Sequence, residues 1–269
     1  MHGRDSHSDL HRSEGRRLFG LDPAGYSAGR PDYPEAVYET LARRCGLGPT
    51  TQVLEIGPGT GLVTRPLLRE VAHVTAVEPD LSMASYLRDA AASANLDVVP
   101  SSFEEADVGR ARFDLAVAAT SFHWVDQEVG LSKLGHALRP GGWAALWWTL
   151  FRDPDQPDEF SQAVEQVLGP ATRGAFDEPG RPPFQLDESH RRRDMARWAR
   201  LDDVTSEVMK LAREASTEFP NQVFFAGQLL FTYETNLTRW LHNHTVFTLQ
   251  RRFFLSSMPF VVLPIRVDA

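Results

Sequence analysis

A doubly wound α/β sheet is the fold class that this 269-residue sequence predicts, and three observations predict it. Short apolar segments, Val53 to Ile56, His73 to Val77 and Phe113 to Ala119, read as buried strands and are each followed by a helical pattern, as in a parallel sheet covered on both faces. The first passes into its helix through Gly57-Pro58-Gly59-Thr60-Gly61-Leu62, a loop that only small residues permit. The second ends in a carboxylate, Glu78, followed by Pro79-Asp80. Together these describe a Rossmann-like sheet of about seven mostly parallel strands, helices on both faces and a small cap, with its ligand at the carboxyl ends of the strands.

The elements follow in order. Residues 1–18 are polar, carry His2, His7 and His11 and lack the apolar core of an export signal, so a flexible tail is expected. The three histidines have no cysteine or carboxylate order around them, and no metal site is expected. The domain is then residues 19–269, with its core at about 34–150 and a cap and uncertain carboxyl-terminal part over 151–269. Pro34 suits a helix start, and Tyr38, Leu41 and Cys45 give that helix an apolar face. After the first strand, the three alternating glycines let the backbone approach a ligand closely, and a helix is expected from about Thr60, its first amides turned to that ligand. The dinucleotide fingerprint places a third glycine where this chain has Leu62. Glu55 before the loop suits cationic charge, where a pyrophosphate would need donors.

Glu78, at the end of the second strand, can accept hydrogen bonds from both hydroxyls of a ribose. Met83, Leu87, Ala90 and Ala94 are spaced for one face of the next helix. Asp97 to Pro100 is a short strand, followed by Ser101-Ser102-Phe103-Glu104-Glu105. After the strand at Phe113 to Ala119 comes Thr120-Ser121-Phe122-His123-Trp124-Val125-Asp126, at the ligand end of the sheet. A helix with Leu131, Leu134 and Leu138 on one face stops at Arg139-Pro140-Gly141-Gly142. Trp143 to Trp148 is the fifth strand. Trp147 and Trp148 are neighbours, so only one can face a given side, and either core or pocket lining fits them.

Glu55 with the glycine loop, Glu78, the Thr120 to Asp126 segment and the Leu138-Arg139-Pro140-Gly141-Gly142 turn before an apolar strand resemble the class I S-adenosylmethionine (SAM) dependent methyltransferases. The likeness is to small-molecule members of the methyltransferase type 11 and trans-aconitate methyltransferase-like kind. Upstream, Tyr26-Ser27-Ala28-Gly29-Arg30-Pro31-Asp32-Tyr33-Pro34 looks like the family segment across the cofactor site, so the resemblance spans residues 19 to about 210. It implies SAM as cofactor, S-adenosylhomocysteine as product and transfer of methyl to an O, N or C atom. It places Glu55, Gly57, Gly59 and Gly61 at the methionine part, Glu78 at the ribose, Phe103 and Glu104 at the adenine, and Pro79 and Met83 among the cofactor-binding residues. Thr120 and Trp124 then form a wall, and Tyr26, Arg30 and Tyr33 close the entrance, with Arg30 toward the cofactor carboxylate. Glu104 can equally be a loop acid in water. His123 has two readings, a general base that takes a proton from the acceptor or a shaper of the pocket wall.

Composition narrows the partners. Cys45 is the one cysteine, which excludes an intrachain disulfide and suits a reducing cytoplasm. The net charge of −8 argues against nucleic acid as acceptor, whose phosphates attract basic surfaces. No window reaches the ~18 apolar residues of a membrane span. A cytoplasmic monomer or homodimer acting on a small-molecule acceptor, with no nucleic acid and no membrane, is the expectation.

Past the fifth strand, residues 170 to 188 read as loop or lid. Arg191, Arg192, Arg193, Arg197 and Arg200 suit an anionic substrate or a solvated helix face. Leu201 to Lys210 alternates like a sixth strand, residues 211 to 230 are helix-like, and either Trp240 to Leu249 or Phe260 to Val267 could supply a seventh. His242 and His244 face one side if extended, which alone makes no metal site. Two rivals stand beside the main reading. One is a SAM-binding protein that does not methylate. The other is a nicotinamide oxidoreductase, disfavoured by Leu62 and by the lack of a Tyr-x-x-x-Lys pair.

Overall fold

A computed structural model describes residues 19–30, 32–149, 193–194, 197, 203–204, 207–209 and 260–266. The amino-terminal tail, the 170–188 loop, Arg191, Arg192, Arg200, residues 211–230, His242 and His244 lie outside the described residues. The elements are α1 (Pro23–Gly29), α2 (Glu35–Cys45), β1 (Gln52–Ile56), α3 (Thr64–Glu70), β2 (His73–Val77), α4 (Leu81–Ala91), β3 (Leu96–Val99), β4 (Phe113–Ala119), a 3-10 turn (Phe122–Trp124), α5 (Gln127–Ala137), β5 (Leu138–Thr149), β6 (Asp203–Val204), β7 (Glu207–Met209) and β8 (Phe260–Arg266).

Five strands form a parallel sheet in the order β3-β2-β1-β4-β5. β8 pairs antiparallel with β5 from Trp143↔Arg266 to Thr149↔Phe260, and β6 and β7 both pair antiparallel with β8. The fold is thus the doubly wound α/β sheet that the strand and helix patterns predict. Of the two late segments that could supply a strand, Phe260–Arg266 pairs in the sheet, and Trp240 to Leu249 lies outside the described residues.

Alternation along each strand builds two cores. Leu54, Ile56, Phe113, Ala116, Leu131, Leu134 and Trp148 pack on one face. Leu41, Val53, Leu67, Leu87, Leu115 and Trp147 pack on the other. Each large side chain so buried contributes about 1.5–3 kcal/mol of transfer free energy, and a sheet covered on both faces needs apolar residues at consecutive positions. Trp147 and Trp148 accordingly both serve the core, on opposite sides.

Three boundaries differ from expectation, each for a backbone reason. The helix after the glycine loop begins at Thr64, not Thr60, because Gly57, Gly59 and Gly61 all hold positive φ, 67°, 57° and 86°. The chain re-enters right-handed space only beyond them, and the early helical bond is Arg65 N–H to the Gly61 carbonyl at 3.1 Å. α4 buries Met83, Ala84 and Leu87, whereas Ala90 is exposed. Ala94 falls beyond a left-handed cap at Ala92, φ 36°. β5 starts at Leu138, which pairs with Phe113, and a register irregularity between Phe113 and Leu115 absorbs the Arg139 to Gly142 turn. Arg139 Nη1 secures that turn by donating to Asp114 Oδ1 at 2.7 Å.

Candidate ligand cavity at the carboxyl ends of the strands

β1, β2 and β4 end side by side, and the strand order reverses between β1 and β4, where such sheets open a crevice. A cavity open to solvent lies there, where sheets of this kind place their ligands.

Its floor is the glycine loop. Gly57 N–H donates to the Val77 carbonyl at 2.9 Å, and the Ser121 hydroxyl donates to the Ile56 carbonyl. These bonds tie the ends of β1, β2 and β4 together. A Cβ on Gly57 would sit 2.6 Å from Ser121 Cβ, and one on Gly61 would sit 2.5 Å from Leu87 Cδ1. Glycine is therefore required at both positions, by space and by φ. The loop leans on Glu78: Gly59 N–H donates to its Oε2 at 2.9 Å and Asp80 N–H to its Oε1 at 3.0 Å. Glu78 is 6% exposed and lines the cavity. The two amides fix the carboxylate in the cavity wall. Asp80, also in the wall, caps α4 by accepting from Ser82 N–H at 2.9 Å and Met83 N–H at 3.0 Å.

Glu55 lies beneath the loop, 2% exposed, and does not line the cavity. It accepts from the Thr64 hydroxyl at 2.7 Å. Burial pushes its carboxyl up to about 7; the Thr64 hydrogen bond opposes this, nearby Glu78 adds to it, and Arg65 opposes it.

The β4 side is built on Thr120, a β-branched residue at φ 53°. That conformation costs roughly 1–2 kcal/mol and persists because the backbone and side chain are both anchored. Thr120 N–H donates to the Trp147 carbonyl at 2.7 Å, and its hydroxyl accepts from Thr149 N–H at 3.2 Å and meets the Tyr33 hydroxyl at 3.1 Å. The 3-10 turn buries Phe122 and leaves His123 and Trp124 in the wall. Trp148 Nε1–H donates to His123 Nδ1 at 3.1 Å. Glu104 accepts from Asp126 N–H at 2.9 Å, and Phe103, 3% exposed, lies at a ring-centroid distance of 6.5 Å from Phe122.

α1 supplies the front wall. Arg30 Nη1 donates to the Tyr26 hydroxyl, and the guanidinium lies 5.4 Å from the Tyr26 ring centroid, within cation–π range. Burial raises the Tyr26 phenol above its ordinary range, with Arg30 opposing. Arg30 Nη2 is buried and has no hydrogen-bond partner among the described residues. Phe19 meets Tyr26 and Trp124 edge to face, at 5.5 Å and 5.9 Å.

The cavity wall thus brings together Tyr26, Arg30, Gly57, Gly59, Glu78, Pro79, Met83, Phe103, Glu104, Thr120, His123 and Trp124. Tyr33, Glu55 and Gly61 stand behind it. Phe19, Ile56, Val77, Asp80, Ser121 and Val125 complete the lining and were not singled out from the sequence. Asp80 carried a usable signal, an aspartate directly before an amphipathic helix. Phe19 carried none, since only tertiary packing brings it to Trp124. The lining is mostly apolar, and its charged residues are Glu78, Asp80 and Glu104 against Arg30, a pattern that fits a ligand with a cationic centre and an anionic end.

Residues 53–142 match a family model described as a methyltransferase domain. An uncharacterized methyltransferase of Schizosaccharomyces pombe is 31% identical over 166 residues, 57% of this chain and 61% of that protein, so the chain spans less than two thirds of that relative's length. A ribosomal RNA small subunit methyltransferase A of Bordetella pertussis is 43% identical over 65 residues, 24% of each chain. Among solved structures, a Haemonchus contortus phosphoethanolamine N-methyltransferase 2 with bound phosphomonomethylethanolamine and S-adenosylhomocysteine superposes with TM-score 0.54 at 13% identity. The superposition covers 93% of this chain and 59% of that one.

Proposed function

We propose that this chain, whose residues 53–142 match a family model described as a methyltransferase domain, binds SAM in the cavity and transfers its methyl group to an O, N or C atom of a small-molecule acceptor. The observation that carries the reading is Glu78, fixed by the Gly59 and Asp80 amides at the end of β2 and facing a cavity whose floor admits no side chain at Gly57. The residues present fit SAM. Glu78 would accept hydrogen bonds from ribose hydroxyls, the carboxylates of the lining would suit a sulfonium and an ammonium, and Arg30 Nη2, buried and without a hydrogen-bond partner among the described residues, would suit a carboxylate. Phe103 and Glu104 would flank the adenine, and Met83 and Pro79 would pack beside the ribose.

When bound, SAM supplies a methyl group on a sulfonium that is already a good leaving group. The protein would then contribute position: Tyr26, Arg30, Phe19 and Trp124 form the front wall, and the β4 end, anchored through Thr120, sets the acceptor's approach. Holding two reactants in line can supply about 7–11 kcal/mol of a barrier.

A small acceptor is favoured by the net charge of −8, since RNA binding rests on basic surface, and by an aromatic front wall. The likeness of 65 residues to a ribosomal RNA methyltransferase makes RNA the second reading. The same proposal places the protein in the cytoplasm as a monomer or homodimer, with residues 19–269 as one domain behind a tail over 1–18. Among the described residues no helix is long and apolar enough to cross a membrane. Incubation with methyl-labelled SAM and, separately, a small-metabolite extract and total RNA tests the proposal. Label in the metabolite fraction is expected, and label in RNA alone would replace the acceptor class. SAM binding without label in either would favour a binding protein that does not methylate.

A further inference from the structure

Lys133 does not line the ligand cavity, yet its ammonium holds two residues that do, Phe103 and Glu104. Lys133 Nζ donates to the Glu104 backbone carbonyl at 3.0 Å. It also sits 5.5 Å from the centroid of the Phe103 ring, within the ~6 Å reach of a cation–π contact. Lysine suits both duties, because three N–H donors sit at the end of a flexible stem. The residue lies in α5 and lines an open groove that shares no residue with the cavity, together with Gly109, Arg110, Glu128 and His136. Its side chain is therefore half-buried. Burial lowers the ammonium below its ordinary range, and Asp107 and Glu104 oppose this.

The segment so held is the turn after β3. Its shape comes from local bonds: Ser101 N–H donates to the Val99 carbonyl at 3.0 Å, and Glu105 and Ala106 N–H donate to the Ser102 carbonyl at 3.2 Å and 2.9 Å. Its place against the rest of the molecule comes from α5. Glu104 Oε1 accepts from the N–H of Asp126, the residue that caps α5, at 2.9 Å, and the Glu104 carbonyl accepts from Lys133, about two helical turns further on. From these two ties to one helix we infer that Lys133 is a positioning residue for the Phe103 and Glu104 wall, and that it sets the affinity for the base of a bound nucleoside without touching the ligand. The inference rests on the proposed placement of adenine at that wall. Charge carries the effect rather than bulk, since the carbonyl needs a donor and the ring a cation. Methionine in place of Lys133 keeps an unbranched stem and loses both contacts, whereas arginine keeps a cation and its donors.

The test titrates S-adenosylhomocysteine and adenosine calorimetrically into the full chain and follows hydrogen–deuterium exchange over residues 101–106. Lys133→Met should weaken both ligands by a similar factor, about fivefold to twentyfold, as a charged hydrogen bond and a cation–π contact behind the wall are lost. Exchange over 101–106 should rise in the same variant, and Lys133→Arg should restore most of both readouts. Wild-type affinity together with wild-type exchange in Lys133→Met overturns the inference. Faster exchange with unchanged affinity also overturns it, because Lys133 is then a structural tie alone. So does a loss confined to S-adenosylhomocysteine, since the wall then does not serve the base. A wild type that binds neither ligand removes the adenine placement, and exchange in Lys133→Met still decides whether Lys133 holds the wall. Lys133→Gln takes the place of the methionine variant if that one does not fold.

Discussion

Two carboxylates flank the same glycine loop and are held differently. Glu78 is fixed by amides and faces the cavity, whereas Glu55 is buried beneath the loop with its carboxyl pushed up from 4.5 to about 7, chiefly by burial. A raised carboxyl in the folded state means that folding is favoured by protonation. This contribution is full below about pH 4.5, falls as pH rises through about 7 and is flat beyond. A shift of this size corresponds to roughly 3 kcal/mol. Glu55→Gln keeps an acceptor for Thr64, so it should melt higher than the wild type at pH 8 and flatten the stability profile between pH 5 and 7. Thermal melts across that range check it. At Gly57, alanine should cost about 2–3 kcal/mol through left-handed φ and the contact with Ser121. Ser121→Gly should recover only the steric part, a coupling that denaturant titration of both single variants and the double variant measures. Individual residues were legible in the sequence where chemistry and spacing coincide, as at Gly57, Gly59 and Glu78. Glu55, Tyr33 and Gly61 were selected by the same signals, yet they stand behind the wall, because spacing does not say which face of a loop a side chain takes.

Elements were legible where burial is two-sided. β1, β2, β4 and β5 read directly as apolar runs, and α2 and α5 read from their spacing. Their ends were less so, because caps and positive φ set them: Asp80 starts α4 and Ala92 stops it. α1 was seen only as a segment ahead of the first helix, since it buries no residue fully and leaves no apolar stripe. The cap of α4 is also part of the cavity wall, and its loss is read in stability. Asp80→Ala should lower stability by about 1 kcal/mol, and Asp80→Asn should restore most of that. Chemical denaturation of the two variants is the check.

At the scale of the whole molecule, the reversal of strand order between β1 and β4 places the cavity, and β8 covers the outer edge of β5 along seven residue pairs. The edge it covers is Trp143 to Thr149, two-sided and apolar, the kind that pairs with other chains when bare. A chain ending after Thr149 should therefore aggregate, as light scattering would show, even though it retains every residue named in the cavity. The parallel half of the sheet was legible from local pattern; at the antiparallel edge the segments Leu201 to Lys210 and Phe260 to Val267 were named as candidate strands, but their pairing was not legible, because β8 lies far in sequence from its partner β5. The central claim, that the cavity is a SAM site organised by Glu78, is tested most directly by calorimetric titration of SAM and NAD into the wild type and Glu78→Gln. The account predicts one SAM site in the wild type, binding about 10- to 100-fold weaker in the variant as charged hydrogen bonds worth about 1.5–3 kcal/mol are lost, and no heat with NAD. Binding of NAD without SAM, or SAM affinity unchanged in Glu78→Gln, would contradict it.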